Sequence, residues 1–442
     1  MKVLLDLVQR HKGSLQSGRP DRSGQPLGIH SVCSAHPLVI EAAMLTALAA
    51  GEPVLVEATS NQVNQDGGYT GMTPAAFRDF VLGIAVRAAF PAERILLGGD
   101  HLGPNCWQGE PAAQAMAKSE ILIAQYVAAG FRKIHLDCSM SCGGDPVPLQ
   151  DEVVAHRAAL LCGVAERTWK LTGGEAPVYV VGTEVPVPGG AHEDLQELKV
   201  TTPQAAADTI AAHRAAFAQA GLADVWPRVI GLVVQPGVEF DHHKVIDYRA
   251  GKAASLSRFI ESEPTMVYEA HSTDYQTPDN LRALVRDHFA ILKVGPGVTY
   301  ALRETLWALA DIESEMLGPR HATGFKGVVL GVMREHPEHW RKYYGDPARE
   351  RFDQQFSLSD RIRYYWPHPA IRAAQAAMLA NLERETPPLT LLSQYLPGQY
   401  EAVRDGRLRN APAALLKEGV AKVLRQYMAA CGAKSQAMEL VK

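Results

Sequence analysis

Along most of the chain, apolar β-rich runs that end in polar residues alternate with Ala-rich segments of helical periodicity. The strand candidates are "LGIHSVCS" from Leu27, "PVLVEATS" from Pro53, "RILLGGDH" from Arg94, "KIHLDCS" from Lys133, "VYVVGTEV" from Val178, "VIGLVVQPG" from Val229, "MVYEAHSTD" from Met266 and "AILKVGPG" from Ala290. Segments such as "PLVIEAAMLTALAAG", "TPAAFRDFVLGIAVRAAF" and "TPQAAADTIAAHRAAFAQAG" lie between them, several opening at Thr-Pro and closing at Gly as helix ends prefer. Strand and helix repeated in this order imply parallel pairing with right-handed crossovers. Eight such units predict a (β/α)8 TIM barrel from Leu27 to Leu317. A doubly wound open sheet is the rival, but no G-x-G-x-x-G follows the first strand. After Leu317 the alternation gives way to helical, aromatic text such as "VVLGVMREHPEHWRKYYGD" and "SLSDRIRYYWPHP". The expected organisation is a barrel with an N-terminal helix over 1–317 and a C-terminal helical extension, 318–442, packed on it.

Composition narrows the classes of function. The 442 residues are 47% hydrophobic and 21% charged, enough to build a large core. The formal charge of −4, without long runs of one sign, gives no reason to expect nucleic acid or an anionic membrane as partner. No apolar run reaches the roughly 18 residues needed to span a bilayer, and charges break the N-terminal "MKVLLDLVQRHKG" too early for a secretory signal. A cytoplasmic homo-oligomer acting on a small molecule is the expectation. Six cysteines are too few for a disulfide scaffold, and Cys138 and Cys142 read as buried or turn thiols before they read as a zinc site.

Barrel enzymes place their chemistry at the carboxyl ends of the strands, and there this sequence concentrates its polar residues. They include His30, Ser34, Glu57, Asn61, Gln62, Asn64, Asp100, His101, His135, Asp137, Glu184, Gln235, Glu269, His271, Asp274 and Lys293. Burying so many polar groups without purpose would cost about 1–3 kcal/mol for each one left unpaired. His101, Glu184 and His271 form a candidate divalent-metal site, two imidazoles and a carboxylate that leave a position open for substrate. Zn²⁺ is the expected ion, with Mn, Ni or Co as alternatives. Gln235 is a possible fourth ligand, and Glu184 could instead orient a ligand histidine. Asp100 and Asp137 are the acid/base candidates. Asn61, Gln62, Gln235, Glu269, Ser272, Asp274 and Lys293 are placed as substrate-binding.

The Gly-rich "NQDGGYTGMTP" has the composition of a lid or of a plain long turn. His242 and His243 fall in a polar loop and are expected to face solvent. For phosphate, the amides near Gly295 and Gly297 with Ser272 or Thr273 are candidates, yet neither loop has an arginine, so an uncharged sugar fits as well. Arg361 and Arg363 either reach the mouth from the extension or form salt bridges within it.

The segments "SVCSAHPLVIEAA", "VLVEATSNQVNQDGGYTGMTP", "GGDHLGPNCWQ", "KIHLDCSMSC", "GTEVPVPGG", "VVQPGVEFDH", "MVYEAHSTDYQT", "DHFAILKVGP" and "SLSDRIRYYWPH" closely resemble the GatZ/KbaZ family, the tagatose-bisphosphate aldolase subunit family. The resemblance covers nearly the whole chain and implies a barrel related to class II aldolases. It implies one of two roles: a non-catalytic subunit supporting a separate class II aldolase, or an epimerase acting at carbon 4 of tagatose or tagatose 6-phosphate. Asp100 and His101 match the Asp-His pair of those aldolases and His271 matches their last ligand. Gln235 stands where a further histidine is expected, and "STDYQT" stands where a glycine-rich phosphate loop is expected.

Carbon 4 of a 2-ketohexose is not adjacent to the carbonyl, so inversion there needs transient oxidation or reversible cleavage of the C3–C4 bond. No dinucleotide fingerprint supports the first, and no Walker-type loop supports a kinase. The expected reaction is therefore a metal-dependent retro-aldol epimerisation.

Overall fold

The computed structural model describes residues 1–16, 27–182 and 198–433. The eight expected strands form at Ile29–Val32, Val54–Thr59, Ile95–Leu102, Lys133–Leu136, Val178–Val181, Val229–Val233, Val267–Ala270 and Ile291–Val294. They pair in parallel in chain order, and the last pairs with the first, Ile29 opposite Ile291, to close the barrel. Their residues are almost all buried because helices cover the outer wall and side chains fill the interior. Helix α1 (Lys2–Gln16) plugs the amino-terminal end of the barrel, where Met1, Leu4 and Val8 pack on Leu55, Leu96, Ile230 and Ile291. Only the carboxyl end is left for chemistry.

The helices that cover the wall start as the sequence predicts. Thr73, Thr202 and Thr277 each precede a proline, and their side chains accept a hydrogen bond from the first turn of α3 (Pro74–Arg87), α6 (Pro203–Gln219) and α8 (Pro278–Arg286). The other wall helices are α2 (Pro37–Ala50), α4 (Ala112–Ala128), α5 (Asp151–Thr172), α7 (Ala250–Ile260) and α9 (Pro296–Leu317). Helix α9, the last of these, ends at Leu317.

Beyond it come α10 (Phe325–Glu335), α11 (Glu350–Phe356), α12 (Pro369–Arg384), α13 (Leu389–Tyr395), α14 (Pro397–Arg404) and α15 (Pro412–Ala430). Helix α15 lies against α2, α8 and α9 and shares one apolar core with the barrel wall. A short hairpin, Glu239–Phe240 with Val245–Ile246, follows the sixth strand. His242 at its turn hydrogen-bonds Ser357 Oγ at 3.0 Å and the Tyr343 carbonyl at 2.9 Å. The turn expected to face solvent is therefore anchored to the extension through His242 and also through the more exposed His243, whose Nε2 lies 3.1 Å from Asp353 Oδ1. Among the described residues no helix is long and apolar enough to cross a membrane.

Candidate active site and metal centre

The stretch "GGDHLGP" is irregular for a reason. Gly99 pairs with Ile134 and Leu102 with Leu136, so Asp100 and His101 together oppose the single residue His135. Such a bulge breaks the alternation that would send neighbouring side chains to opposite faces. His101 takes φ +47°, a conformation that costs a non-glycine residue roughly 1–3 kcal/mol and clusters at functional sites. Both side chains consequently reach strand-four partners. Asp100 Oδ1 lies 3.0 Å from His135 Nδ1, and His101 Nδ1 lies 2.7 Å from Asp137 Oδ2. Gly103 follows because a Cβ there would collide with the Asp137 carbonyl oxygen, and Pro104 opens the short turn that leads the chain away.

Below these residues lies a buried ionic layer. Lys133 Nζ sits 2.6 Å from Glu57 Oε1 and 2.6 Å from Glu269 Oε2, with all three side chains fully buried. Lys293 contacts Glu57 as well and reaches Asp100 Oδ1 at 2.9 Å and Glu269 Oε1 at 3.6 Å. Three carboxylates against two ammonium groups leave one surplus negative charge, and a buried charge needs a partner.

Above the layer three imidazoles meet. The ring centres of His101 and His271 are 4.8 Å apart, those of His101 and His135 5.2 Å, and those of His135 and His271 5.3 Å. Asp100, His135, Glu269 and His271 each offer a ligand atom, all within 4.8 Å of one another. His135 Nε2 is buried without a hydrogen-bond partner among the described residues, as expected for a nitrogen kept for a metal. Nδ1 of His101 is held by Asp137, which fixes that ring at the edge of the cluster, beside the group of four rather than within it. Imidazoles, carboxylates and the unmet negative charge fit a divalent ion such as Zn²⁺ or Mn²⁺. A second grouping, Cys33 with Glu57 and Asp100, is less suited: burial pushes the Cys33 thiol up to about 12, and Glu57 already holds two lysines.

The pocket over this cluster measures about 80 Å³ and is lined by Asn61, Gln62, Asp100, His101, His271, Ser272, Asp274, Lys293, Tyr69 and Arg363, among others. Most of the residues singled out from the sequence are thus brought together. Glu269 meets the cluster from beneath through its 3.0 Å contact with His271 Nε2. Asp137 is buried behind His101. Gln235 is not among the lining residues, because its Oε1 accepts hydrogen bonds from the amides of Gly237 and Val238 and holds their turn. Glu184 lies outside the described residues. Arg361 stays in the extension, 3.6 Å over the Tyr343 ring and bonded to the His339 carbonyl, whereas Arg363 reaches the mouth.

Over residues 16–432 the sequence matches the family described as D-tagatose-1,6-bisphosphate aldolase subunit GatZ/KbaZ-like. The chain belongs to the GatZ/KbaZ-like family. A solved structure from Sinorhizobium meliloti 1021, described as a probable tagatose 6 phosphate kinase, is 52% identical, with a TM-score of 0.85 over 91% of this chain and all of that one. The fructose-bisphosphate aldolase of Campylobacter jejuni is 12% identical with a TM-score of 0.40 over 85% of this chain and 93% of its own length. The YdjI aldolase of Escherichia coli K12 is 9% identical with a TM-score of 0.39 over 83% and 94%.

The carboxylates of this GatZ/KbaZ-like site are tuned apart. Burial alone would raise Asp100, but His101, His271 and His135 outweigh it and hold the carboxylate well below the ordinary range. Asp137 is likewise held low, its burial overcome by the His101 hydrogen bond and charge. Burial would lower His101, yet Asp100 and Asp137 raise it to about 9. Asp274, by contrast, is pushed up to about 6 by burial, despite the amides of Gly295 and Gly297 that donate to its Oδ1 at 2.9 and 2.8 Å. Glu239, buried behind the pocket near Ser272 and Asp274, is pushed up to about 7 for the same reason.

Read from the sequence alone, Lys133 has no role, and His135 and Glu57 stand among the strand-end polar residues without one of their own. The signal was present: Lys133, His135 and Asp137 sit two apart on one strand and must share a face, as must Glu269 and His271.

Proposed function

We propose that this GatZ/KbaZ-like chain is a metal-dependent C4 epimerase that interconverts D-tagatose and D-fructose, or their 6-phosphates, by reversible cleavage of the C3–C4 bond. The observation that carries this reading is the convergence of His101, His135 and His271 with Asp100 and Glu269 around one buried point beneath a small polar pocket. His135, His271, Glu269 and Asp100, with His101 beside them, would hold a divalent ion, which when bound supplies the Lewis acid that the ketose end of the sugar requires.

The chain's own residues supply the rest. Cleavage begins with loss of the C4 hydroxyl proton and leaves an enediolate and an aldehyde. Asp274 lines the pocket with a pKa nearer neutrality and is the better-matched proton acceptor, whereas Asp100 remains an ionised, orienting carboxylate. Asp137 keeps the His101 ring in register. Lys293 faces the pocket as an ammonium fixed by three carboxylates and offers positive charge to developing oxyanions. Asn61 and Ser272 line the same pocket and would position hydroxyls, whereas Gln62, also in the lining, has its amide engaged by the Thr59 amide and the Cys33 carbonyl. The aldehyde turns before the bond re-forms, so water and escape must be prevented. The loop with Gly67, Gly68 and Gly71 at positive φ brings Tyr69 to 4.6 Å from the Tyr364 ring of the extension and closes that side.

The test is to strip the purified chain with a chelator, reload it with Zn²⁺ or Mn²⁺, and follow tagatose and tagatose 6-phosphate by chromatography. Appearance of the fructose form only after reloading supports the proposal. No conversion with any divalent ion, together with activation of a separately purified class II aldolase, would favour the supporting-subunit role.

A further inference from the structure

Most of the positive features at the mouth are already answered by acidic groups. Lys293 is shared by Glu57, Asp100 and Glu269; His101 has Asp137; His271 has Glu269. The amino terminus of α9, where many barrels hold a phosphate, is filled from within, since the Gly295 and Gly297 amides both donate to Asp274 Oδ1. A phosphate arriving there would meet the Asp274 carboxylate.

Arg363 is different. Its guanidinium donates to the carbonyl oxygens of Ser359 and Asp360 and to Tyr364 Oη at 3.2 Å, all neutral acceptors, and it takes part in no ion pair among the described residues. Asp360 is near enough to feel its charge, but the Asp360 carboxylate receives the Thr299 hydroxyl at 2.5 Å. The corner that carries Arg363 is rigid. Asp360 holds φ +46°, and the guanidinium lies 4.7 Å over the Tyr364 ring, which rests on Tyr69. Arg363 also forms part of the wall between the catalytic pocket and an adjoining cavity of about 490 Å³, with Cys33, Gln62 and Tyr69. A fixed, half-buried guanidinium facing two cavities with no carboxylate in contact is suited to a planar, bidentate anion.

We infer that Arg363 is a specificity-determining residue that receives a terminal anionic group of the substrate, a phosphate ester or a carboxylate at the far end of the ketohexose. This rests on reading the pocket as a ketohexose site. The anion is held by the extension, not by the loops after strands seven and eight, so selection of substrate and chemistry are divided between the two parts of the chain.

Calorimetric titration of the full chain with fructose 6-phosphate, with fructuronate and with fructose tests it. The wild type should bind the anionic sugars more tightly than fructose, Arg363→Gln should lower that preference about 10- to 100-fold, and Arg363→Lys should restore part of it. Loss confined to fructose 6-phosphate identifies a phosphate subsite; loss confined to fructuronate identifies a carboxylate subsite. A wild type without the preference, or an Arg363→Gln variant that keeps it, overturns the inference. Should that variant fail to fold, inorganic phosphate must compete with the anionic sugar on the wild type but not with fructose, and absence of that difference overturns it equally. Binding is read without turnover. A chain that shows Arg363-dependent binding but no epimerisation refutes the proposed reaction alone; one that epimerises while Arg363→Gln keeps the preference refutes this inference alone; one that binds no ketohexose refutes both.

Discussion

Replacing Lys133 with Met probes the ionic layer on which the site stands. Methionine nearly matches the lysine stem in length, so the change removes charge with little loss of packing. Each 2.6 Å contact, to Glu57 and to Glu269, represents about 6 kcal/mol of attraction at an effective dielectric near 20. Much of that is offset by the cost of drying the ammonium, and removing one partner of a buried pair typically costs about 3–5 kcal/mol. The Glu269 carboxyl responds in the same direction. Burial would raise the Glu269 pKa, but Lys133 and His271 hold it at about 2, against an ordinary 4.5. That difference is worth about 3 kcal/mol at neutral pH, present above the unfolded pKa and lost as pH falls toward 2.

We therefore expect Lys133→Met to lower unfolding stability in urea by about 3–5 kcal/mol at pH 7. The charge surplus grows from one to two in this variant, and adding Glu57→Gln brings it back to one. The double variant should accordingly be more stable than the single one. A Lys133→Met chain within about 1 kcal/mol of wild type, or a double variant whose two losses simply add, would refute the view that these charges balance one another.

Other expectations follow from single contacts. His135→Ala should abolish high-affinity metal uptake measured by elemental analysis, along with turnover; retention of one ion per chain would remove His135 from the ligand set. Asp274→Asn should lower kcat by about 10²–10⁴-fold if it moves the proton, and a loss confined to KM would reassign it to positioning. Gly103→Ala should be poorly tolerated, because its methyl meets the Asp137 carbonyl, and a thermal midpoint unchanged from wild type would contradict the tight approach. Glu239 is raised from 4.5 to about 7 by burial, so it binds its proton more tightly when folded. Its contribution is fully present below pH 4.5 and fades as pH rises through 7, and Glu239→Gln should flatten the decline in stability over that window by about 3 kcal/mol.

The barrel was readable because its signals are local. Each strand is a short apolar run and each helix start carries its own Thr-Pro, so tertiary context had little to overrule. Much of the site was readable for the same reason, since chemistry sits where strands end. The bulge at Asp100 and His101 was not readable, for its cause is the pairing register with a strand more than thirty residues away. His135 and Lys133 went unassigned because a histidine and a lysine inside "KIHLDC" gain meaning only when Asp100, Glu57 and Glu269 arrive from three other strands. The separation of Arg361 from Arg363 is likewise tertiary: one stacks on Tyr343, while the other, two residues on, faces the mouth. Gln235 reads as a ligand by position, but the sequence does not reveal that its oxygen is spent on the turn at Gly237.

The most direct measurement uses tagatose labelled with deuterium on carbon 4, incubated in ordinary water with the metal-loaded chain and followed by NMR. Cleavage and re-formation of C3–C4 never breaks the C4–H bond, so the fructose formed should keep its deuterium and no external nicotinamide should be required. Fructose that has lost the label to solvent, or no fructose at all under any divalent ion, would contradict the proposed chemistry at the cluster of His101, His135 and His271.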